Sequence, residues 1–546
     1  MKTQIFTIHS PDCDLEQLEK AGAILRGGGL VAFPTETVYG LGGNALDAGA
    51  SAKIFAAKGR PQDNPLIVHI ADMAQLDILC HDIPDAARAL AGAYWPGPLT
   101  MILPKNDCIP DATTAGLDTA GIRMPSHPVA RALIRCAGVP IAAPSANRSG
   151  KPSTTSFPHV LRDMDGRIDA IIDGGESEVG LESTVIEFEG GRARILRPGY
   201  ITLEDIETVL GPGMCLIAPG VREHVADGER VRSPGMKYRH YAPAAPVLAI
   251  CGEARDVARE MRRRARGQSA CAAIICDEYA QALPCETIAC GPQGDYAAQA
   301  HRLFAALRQL DRPDISFILA QCPDERGVGM AVANRLKRAA AFHVVQARRC
   351  CVVGLTGPTG AGKSSVCACF CAHGAQILDC DALYHEMLKT DKALLDTLRT
   401  AFPSAFGSGS FDRRALGKLV FSDPDALAKL NAAVLPLVSA RIEAEIARAD
   451  AKGVALLILD APTLFESGTD ALCDFTLAVL ASPQLRTARI AARDGLDEAY
   501  AHLRVKSGKP DGYYIDRCDA VVTNDTDFEE TCAQVENILD TINLRR

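Results

Sequence analysis

A glycine-rich loop, Gly357-Pro358-Thr359-Gly360-Ala361-Gly362-Lys363-Ser364, constrains the fold of this chain more than any other feature. It follows an apolar run at 351–355 and precedes a stretch of helix formers, which is the strand–loop–helix context of a phosphate-binding loop. The glycines let successive backbone N–H groups face a bound phosphate at the positive end of the helix. The sequence therefore predicts a nucleotide-binding α/β domain that begins about two thirds of the way along the chain.

Bulk composition narrows the class of protein. The 546 residues leave room for about three domains. The net charge of −9 argues against a nucleic-acid footprint along the whole chain. There is no apolar run long enough to cross a bilayer and no signal-peptide core, so a cytoplasmic protein without membrane contact is expected. The 20 cysteines lack zinc-site spacing and are interpreted as buried or neutral residues in a reducing compartment, not as a disulfide framework.

Four segments are predicted from the alternation of strand-like and helical runs. Residues 1–205 are typical of a mixed α/β domain with functional loops, and 206–243, rich in turn formers and charges, are interpreted as a linker. Residues 244–346 predict a small Rossmann-like α/β domain, and 347–546 predict a parallel sheet with a helical lid. The predicted fold class is therefore α/β throughout.

The phosphate-binding loop specifies part of its own chemistry. Lys363 is expected to reach the β- and γ-phosphates of ATP, and the Ser364 hydroxyl is expected to ligate Mg²⁺. The other predicted ATP contacts of this loop are Gly357, Thr359, Gly360, Ala361, Gly362 and Ser365.

A second predicted strand, at 376–381, ends in two acidic residues. A carboxylate there can accept the proton of an acceptor hydroxyl as it attacks the γ-phosphate, which makes Asp381 the candidate catalytic base beside Lys363. The alternative is an N-cap for a helix beginning at Ala382, and for Asp379 capping or a supporting role explains the residue equally well.

Arginines recur in a later stretch that is rich in helix formers. A basic helical stretch near a P-loop often closes as a lid on the transferring phosphate, although each arginine taken singly also fits a solvated surface charge. The arginines are Arg486, Arg489, Arg493 and Arg504.

Residues 350–546 resemble dephospho-CoA kinase. The resemblance rests on the P-loop, Asp-x-Asp at 379–381, Asp-Arg-Arg-Ala-Leu-Gly at 412–417, Pro-x-Leu-Phe-Glu at 462–466, Arg-Asp-Gly at 493–495, and Asp519 with Asn524. It implies ATP-dependent phosphorylation of the ribose 3′-hydroxyl of dephospho-CoA, with Asp381 as base, Arg493 or Arg504 in a lid and Asn524 near the adenine. Two departures from the family pattern are Leu435, where histidine is usual, and the segment 506–509.

The first 350 residues have no P-loop, but polar residues collect where predicted strands end. The runs are Pro-Thr-Glu-Thr-Val-Tyr-Gly-Leu at 34–41, Lys-Gly-Arg-Pro at 58–61, Gly-Ile-Arg-Met-Pro at 121–125, Pro-Ser-Ala-Asn at 144–147 and Glu-Ser-Thr-Val at 182–185. Cations and hydroxyls in such places can clamp a triphosphate, and Arg123 can hold a carboxylate with two hydrogen bonds. The candidate clamp residues are Lys58, Arg60, Ser145, Ser153 and Arg197.

Together these runs resemble the YrdC-like threonylcarbamoyl-AMP synthase family over residues 10–205. Ser-Pro-Gly-Met-Lys-Tyr-Arg-His-Tyr-Ala-Pro at 233–243 and the run at 327–336 extend the resemblance to the long form of that family. It implies condensation of L-threonine, bicarbonate and ATP to threonylcarbamoyl-adenylate and pyrophosphate. The product is then expected to pass to a tRNA-modifying threonylcarbamoyl transferase, with no direct nucleic-acid binding required.

The resemblance also implies roles for individual residues. The threonine site is expected to hold Thr35, His69, Arg123, Ser183 and Thr184. The ATP site is expected to hold Lys58, Arg60, Ser145, Asn147, Ser153 and Arg197, with Tyr241 folding back over it. No residue is an obvious nucleophile, which suits attack of a substrate carbamate on the α-phosphate. His69 is alternatively a core histidine on a strand at 66–70.

The leading hypothesis is a bifunctional enzyme that carries these two activities, and two alternative functions are also considered. One keeps the kinase but changes its acceptor to another nucleoside or nucleotide. The other makes the first two thirds an RNA-binding module with Lys58, Arg60, Arg123 and Arg197 as a basic patch. The negative net charge and the 5% aromatic content weaken the RNA-binding reading.

Overall fold

The computed structural model describes residues 2–221, 241–407 and 411–544. Contacts divide the chain into two compact units, Met1–Ala254 with Gly267–Gln346, and Arg255–Arg266 with Ala347–Arg546. The motif residues 233–240, and half of the predicted linker 206–243, lie outside the described residues. Among the described residues, no helix combines the length and the apolar character needed to cross a bilayer.

The first unit contains a large twisted sheet of mixed parallel and antiparallel strands. Its strands are β1 (Gln4–Thr7), β2 (Val31–Phe33), β3 (Gly40–Asn44), β4 (Ile67–His69), β5 (Leu99–Pro104), β6 (Thr119–Arg123), β7 (Ile141–Ala142), β8 (Ala170–Asp173), β9 (Thr184–Glu189), β10 (Arg192–Arg197) and β11 (Cys215–Ile217). The strand order is β1-β8-β2-β3-β7-β4-β6-β5-β9-β10-β11. The helices in this part of the chain are α1 (Leu15–Arg26), α2 (Ala48–Lys58), α3 (Ala74–Leu79), α4 (Asp85–Tyr94), α5 (Asp111–Thr114), α6 (Pro128–Ala137), α7 (Phe157–Met164) and α8 (Leu203–Leu210), with a 3₁₀ turn at Pro219–Val221.

The start of the predicted linker is ordered structure. Helix α8 begins at a capping box in which Thr202 and Asp205 satisfy each other's backbone N–H groups. Strand β11 then pairs in parallel with β10 and extends the edge of the large sheet. Helix α8 and strand β11 thus continue the ordered structure into the predicted linker, with their backbone groups used in a helix and a ladder.

A smaller, wholly parallel sheet follows in the same unit, in the order β14-β13-β15-β12-β16. Its strands are β12 (Val247–Cys251), β13 (Cys271–Ile275), β14 (Glu286–Ala289), β15 (Phe317–Cys322) and β16 (Val344–Gln346). The helices between them are α9 (Ala254–Ala265), α10 (Tyr296–Gln309) and α11 (Val328–Ala339), with a 3₁₀ turn at Asp277–Ala282. Most of helix α9 is the exception, because its contacts assign it to the second unit. In that unit its Arg259 side chain lies 3.4 Å from the Asp474 carboxylate.

The second unit is a parallel sheet in the order β18-β19-β17-β20-β21 with helices around it. Its strands are β17 (Cys351–Thr356), β18 (Gln376–Asp379), β19 (Leu456–Asp460), β20 (Phe475–Leu480) and β21 (Ala520–Thr523). Its helices are α12 (Lys363–Ala372), α13 (Cys380–Thr390), α14 (Lys392–Ala401), α15 (Arg413–Ser422), α16 (Pro424–Ala451), α17 (Pro483–Asp494), α18 (Glu498–Lys506), α19 (Asp511–Ile515) and α20 (Phe528–Leu544), with 3₁₀ turns at Pro403–Phe406 and Thr469–Leu472. The predicted α/β fold class is confirmed.

One pair of cysteines departs from the interpretation of the sequence. Cys369 on α12 and Cys532 on α20 form a disulfide across two packed helices. Their 163-residue separation explains why spacing gave no sign of it. The interpretation of the cysteines as buried or neutral residues outside any disulfide framework therefore does not hold for this pair.

Candidate functional site

A cavity in the first unit collects most of the polar residues singled out from the sequence. Ten of the predicted residues line it, namely Thr35, Lys58, Arg60, His69, Arg123, Ser145, Asn147, Ser183, Arg197 and Tyr241. Ser153 and Thr184 do not line the cavity in the described part of the chain. The Ser153 hydroxyl instead donates to Glu182 at 2.5 Å, and the Thr184 hydroxyl donates to the Ile201 carbonyl at 2.6 Å.

Lys58 and Arg60 reach the cavity because helix α2 ends between them. Gly59 adopts a left-handed φ of 64°, which stops the helix after Lys58. The Lys58 ammonium donates to the carbonyl oxygens of Ser145 and Asn147, the latter at 2.5 Å. Burial lowers the pKa of Lys58 well below its ordinary value and lowers the pKa of Arg60 to about 10. Both groups therefore lie where an added anion would stabilise their charged forms.

Arg197, at the end of β10, supplies a third cation. Its Nε and Nη2 atoms donate to the Ser183 carbonyl at 3.1 and 3.0 Å, and Nη2 also donates to the Ser183 hydroxyl at 3.1 Å. Burial lowers the pKa of Arg197 to about 10. Two buried cations, Lys58 and Arg197, and the half-buried Arg60 thus line one cavity, an arrangement that fits a polyphosphate.

Arg123 and His69 are paired across neighbouring strands, β6 and β4. The Arg123 guanidinium forms an ion pair with Glu36 at 2.7 Å, and both side chains are 5% exposed. Burial opposes the charge on Glu36, but Arg123 holds the pKa of this carboxyl below its ordinary value. Burial lowers the pKa of His69 to about 3, so its imidazole is neutral. Glu36 belongs to the polar run at 34–41, but its pairing with Arg123 could not be predicted because the two residues are far apart in the sequence.

The phosphate-binding loop of the second unit lies between β17 and α12, as predicted from the sequence. Gly360 and Gly362 have positive φ angles of 82° and 87°. A Cβ atom on Gly362 would lie 2.1 Å from the Asn524 amide nitrogen. Asn524 in turn donates to the Ala361 carbonyl at 2.9 Å. The structure thus places the side chain of Asn524 against the loop.

The two acids at the end of β18 have different surroundings. Asp379 caps helix α13 by accepting from the Ala382 N–H at 2.8 Å. Asp381 lies exposed in the first turn of that helix. Since the capping role falls to Asp379, the carboxylate of Asp381 faces solvent and is accessible to an acceptor.

Asp460, at the end of β19, is an acid that the sequence reasoning did not assign. It is the register partner of Asp379 and of Leu355 in the adjacent strands. Its Oδ1 atom is buried without a hydrogen-bond partner among the described residues. Burial raises the pKa of Asp460, Lys363 opposes this shift, and the charges of Asp379 and Asp381 add to it. Its position at the carboxyl end of a strand was the signal that could have identified it.

Three of the four arginines of the basic stretch lie on α17 and the fourth lies on α18. By their contacts they form two groups of two. Arg486 donates to the Thr359 carbonyl at 3.1 Å, and Arg489 donates to the Ala361 and Asn524 carbonyls at 3.2 and 3.0 Å. Arg493 and Arg504 both pair with Asp494, at 2.8 and 2.7 Å, and are 60% and 42% exposed. The structure thus brings the first pair to the loop and places the predicted Arg493 at the surface.

The fold and the two sites define an enzyme with two nucleotide-handling parts on one chain. Three family models divide its length, described as "Telomere recombination" over residues 23–199, "Threonylcarbamoyl-AMP synthase, C-terminal domain" over 201–341 and "Dephospho-CoA kinase" over 351–530. Threonylcarbamoyl-AMP synthases from Pyrococcus abyssi and Bacillus subtilis are each 46% identical over 335 and 333 residues, covering 60% of this chain and 94% of each relative.

A solved structure agrees with these relatives. The crystal structure of P. abyssi Sua5 complexed with L-threonine is 42% identical with a TM-score of 0.58, covering 63% of this chain and 99% of that one. The chain belongs to the threonylcarbamoyl-AMP synthase family, and it also carries a dephospho-CoA kinase domain. It is an enzyme in both parts.

Proposed function

We propose that the first unit condenses L-threonine, bicarbonate and ATP to threonylcarbamoyl-adenylate, pyrophosphate and water. The observation that carries this proposal is the cavity in which Lys58, Arg60 and Arg197 meet. In this reaction the threonine amine forms a carbamate with bicarbonate and releases water. A carbamate oxygen then bonds to the α-phosphorus, and the bond from that phosphorus to the pyrophosphate oxygen breaks.

The cavity residues supply binding and charge for these steps. Lys58, Arg60 and Arg197, with Ser145 and Asn147, hold the triphosphate and stabilise the negative charge that builds on the leaving pyrophosphate. Ser153 assists indirectly, through its bond to Glu182.

The threonine part of the site has its own set of residues. Arg123 binds the threonine carboxylate, oriented by its ion pair with Glu36, and neutral His69 lies on the adjacent strand. The remaining residues proposed for the threonine site are Thr35 and Ser183, which line the cavity together with Tyr241. Thr184 does not line it, because its hydroxyl donates to the Ile201 carbonyl.

The second unit phosphorylates the ribose 3′-hydroxyl of dephospho-CoA with ATP. Lys363 contacts the β- and γ-phosphates at the N-terminus of α12. Asp381 accepts the proton of the 3′-hydroxyl as its oxygen bonds to the γ-phosphorus and ADP leaves. Arg486 and Arg489, which contact the loop, stabilise the transferring phosphate better than the surface residue Arg493.

The donor atoms present also fit Mg²⁺. This ion prefers oxygen ligands, which here are the Ser364 hydroxyl at the start of α12 and the Asp460 Oδ1 atom, which has no hydrogen-bond partner among the residues that the structure describes. When bound there, Mg²⁺ would supply positive charge that offsets the negative charge of the phosphates. Asn524 holds the loop carbonyls in place beside the nucleotide.

The test of both functions uses the whole chain. We expect pyrophosphate release that requires threonine and bicarbonate together, and CoA formation that requires dephospho-CoA. Lys58→Ala should abolish the first activity and retain the second, while Lys363→Ala should do the reverse. Each variant therefore controls for the folding of the other. A Lys58→Ala chain with normal pyrophosphate release would refute the cavity as the synthase site, and a Lys363→Ala chain that still makes CoA would refute the kinase assignment.

A further inference from the structure

A buried carboxylate, Glu182, lies among the cations of the cavity. It lines the cavity and is 6% exposed. Its Oε1 accepts from Ser153 at 2.5 Å, and its Oε2 accepts from the Nε atom of Arg335 at 2.8 Å. Burial opposes the charge on Glu182, but Arg335 and then Arg197 hold the pKa of this carboxyl below its ordinary value. Glu182 is therefore an anion beside residues that must bind an anionic substrate.

Arg335 comes from helix α11 beside the smaller sheet, and its side chain is fully buried. Besides Glu182, its guanidinium donates to the Asn334 side-chain oxygen at 3.0 Å and lies 5.7 Å from the centre of the Tyr241 ring. The ring of Tyr241 also packs against Phe304, with ring centres 5.2 Å apart. One guanidinium thus contacts both an acid and an aromatic ring of the cavity wall.

A second arginine holds the same wall from helix α10. Arg308 donates to the Ser153 carbonyl at 3.1 Å and pairs with Asp163 at 2.8 Å. The position of Ser153 is therefore fixed twice, through its carbonyl by Arg308 and through its hydroxyl by Glu182. The orientation of the hydroxyl depends on where Arg335 holds the Glu182 carboxylate.

We propose that Arg335 is a positioning residue for the synthase reaction, which holds the Glu182 carboxylate on the side of α11 and so limits the attraction of this carboxylate for Arg197, a residue proposed to bind the substrate phosphates. The inference rests on the proposed synthase function. Without Arg335, the charged groups that still face Glu182 are Lys58 and Arg197, and Tyr241 lies in the same cavity. The carboxylate would then either attract Arg197 or take up a proton.

The experiment compares Arg335→Met, Arg335→Lys, Glu182→Gln and the double variant Arg335→Met/Glu182→Gln in the whole chain. Pyrophosphate release is measured against ATP and threonine concentration from pH 5.5 to 8.5, with CoA formation as the folding control. The matched control is Arg302→Met, which removes an exposed arginine from α10.

Arg335→Met is expected to raise KM for ATP about tenfold, since one charge-assisted contact is worth about that factor. This rise in KM should be largest at high pH, where the unpaired Glu182 carboxylate is charged and attracts Arg197, and should shrink as the pH drops and Glu182 takes up a proton. Glu182→Gln in the same chain should remove this pH dependence, Arg335→Lys should restore part of the activity, and Arg302→Met should match the wild type.

Three results would overturn the inference alone while the wild type remains active. They are an Arg335→Met chain with unchanged KM and pH profile, a loss that is the same at every pH, and a loss that Glu182→Gln leaves pH-dependent. If Arg335→Met does not fold, the same measurements of KM for ATP and of its pH dependence are made on the milder Arg335→Lys chain, and they test the inference in the same way. A wild type without threonine-dependent pyrophosphate release would overturn the proposed function, and this inference with it.

Discussion

Lys58, Arg60 and Arg197 show what a buried cation requires. Each donates to carbonyl oxygens, which partly replace the water lost on burial. Carbonyl dipoles do not neutralise a charge, so a bound polyanion would stabilise the charged forms of these three side chains. The same side chains that are unfavourable in the free protein thus become favourable when a triphosphate binds.

His69 should make the first unit sensitive to acid. Its folded pKa of about 3 is below the ordinary value, so its contribution to stability is present above pH 6.5 and is lost as the pH falls. Between pH 7 and pH 5 the wild type should lose about 2 kcal/mol more than His69→Gln. Urea unfolding followed by the fluorescence of Trp95, the single tryptophan of the chain, measures this in the first unit. Equal losses in the two chains would contradict it.

Arg489 and Arg493 offer a test of which arginine serves the kinase. Arg489→Met removes charge-assisted bonds to the Ala361 and Asn524 carbonyls, so kcat/KM for ATP should fall about 10- to 100-fold. Arg493→Met removes a surface ion pair and should change the value less than about twofold. Steady-state CoA formation decides between them, and the opposite order would restore Arg493 as the acting residue.

At the scale of elements, the loop between β17 and α12 is held from outside by Asn524 and by α17. Gly362→Ala should disrupt this arrangement, because its φ is 87° and its Cβ would overlap the Asn524 amide. KM for ATP in CoA formation should rise at least about tenfold. Gly374→Ala is the control, since its φ is 81° but nothing lies within 4 Å of the added carbon. Equal effects of the two changes would show that backbone strain alone, and not the contact with Asn524, sets the result.

The disulfide between α12 and α20 should stabilise the kinase unit. Cys369→Ser should lower its stability by about 2 to 5 kcal/mol without reductant, because the cross-link restricts a long loop of the unfolded chain. With dithiothreitol the difference should largely vanish. The midpoint of thermal inactivation of CoA formation measures the effect. Cys371→Ser, which changes an exposed free thiol on the same helix, should match the wild type under both conditions.

At the scale of the whole molecule, the two activities should be kinetically independent, since their substrates share ATP and no intermediate. At saturating ATP, adding dephospho-CoA should leave pyrophosphate release unchanged within about 20%, an allowance far smaller than the several-fold effect typical of coupled sites. Adding threonine and bicarbonate should likewise leave CoA formation unchanged. A reciprocal change in either assay would show coupling between the sites.

Local sequence patterns predicted the fold class and many candidate site residues, but they did not predict pairs of residues that are far apart in the chain. The P-loop, the strand-end polar runs and the α/β class follow from residues close in sequence. The pairs Glu182–Arg335 and Cys369–Cys532 join residues 153 and 163 positions apart, so no spacing rule reaches them. The grouping of residues 255–266 with 347–546 also joins segments that are far apart in the chain. The roles of the individual site residues stay predictions.

The pairing of Glu182 with Arg335 also has a consequence in time. During synthesis the ribosome releases the large sheet well before α11, because 153 residues separate the two partners. Domains generally fold as they emerge from the ribosome, so the part of the cavity wall that contains Glu182 should form before Arg335 has been synthesised. The synthase site would therefore mature only after the small sheet has docked. A growing chain that has completed its first domain should by this reasoning bind ATP more weakly than the finished protein.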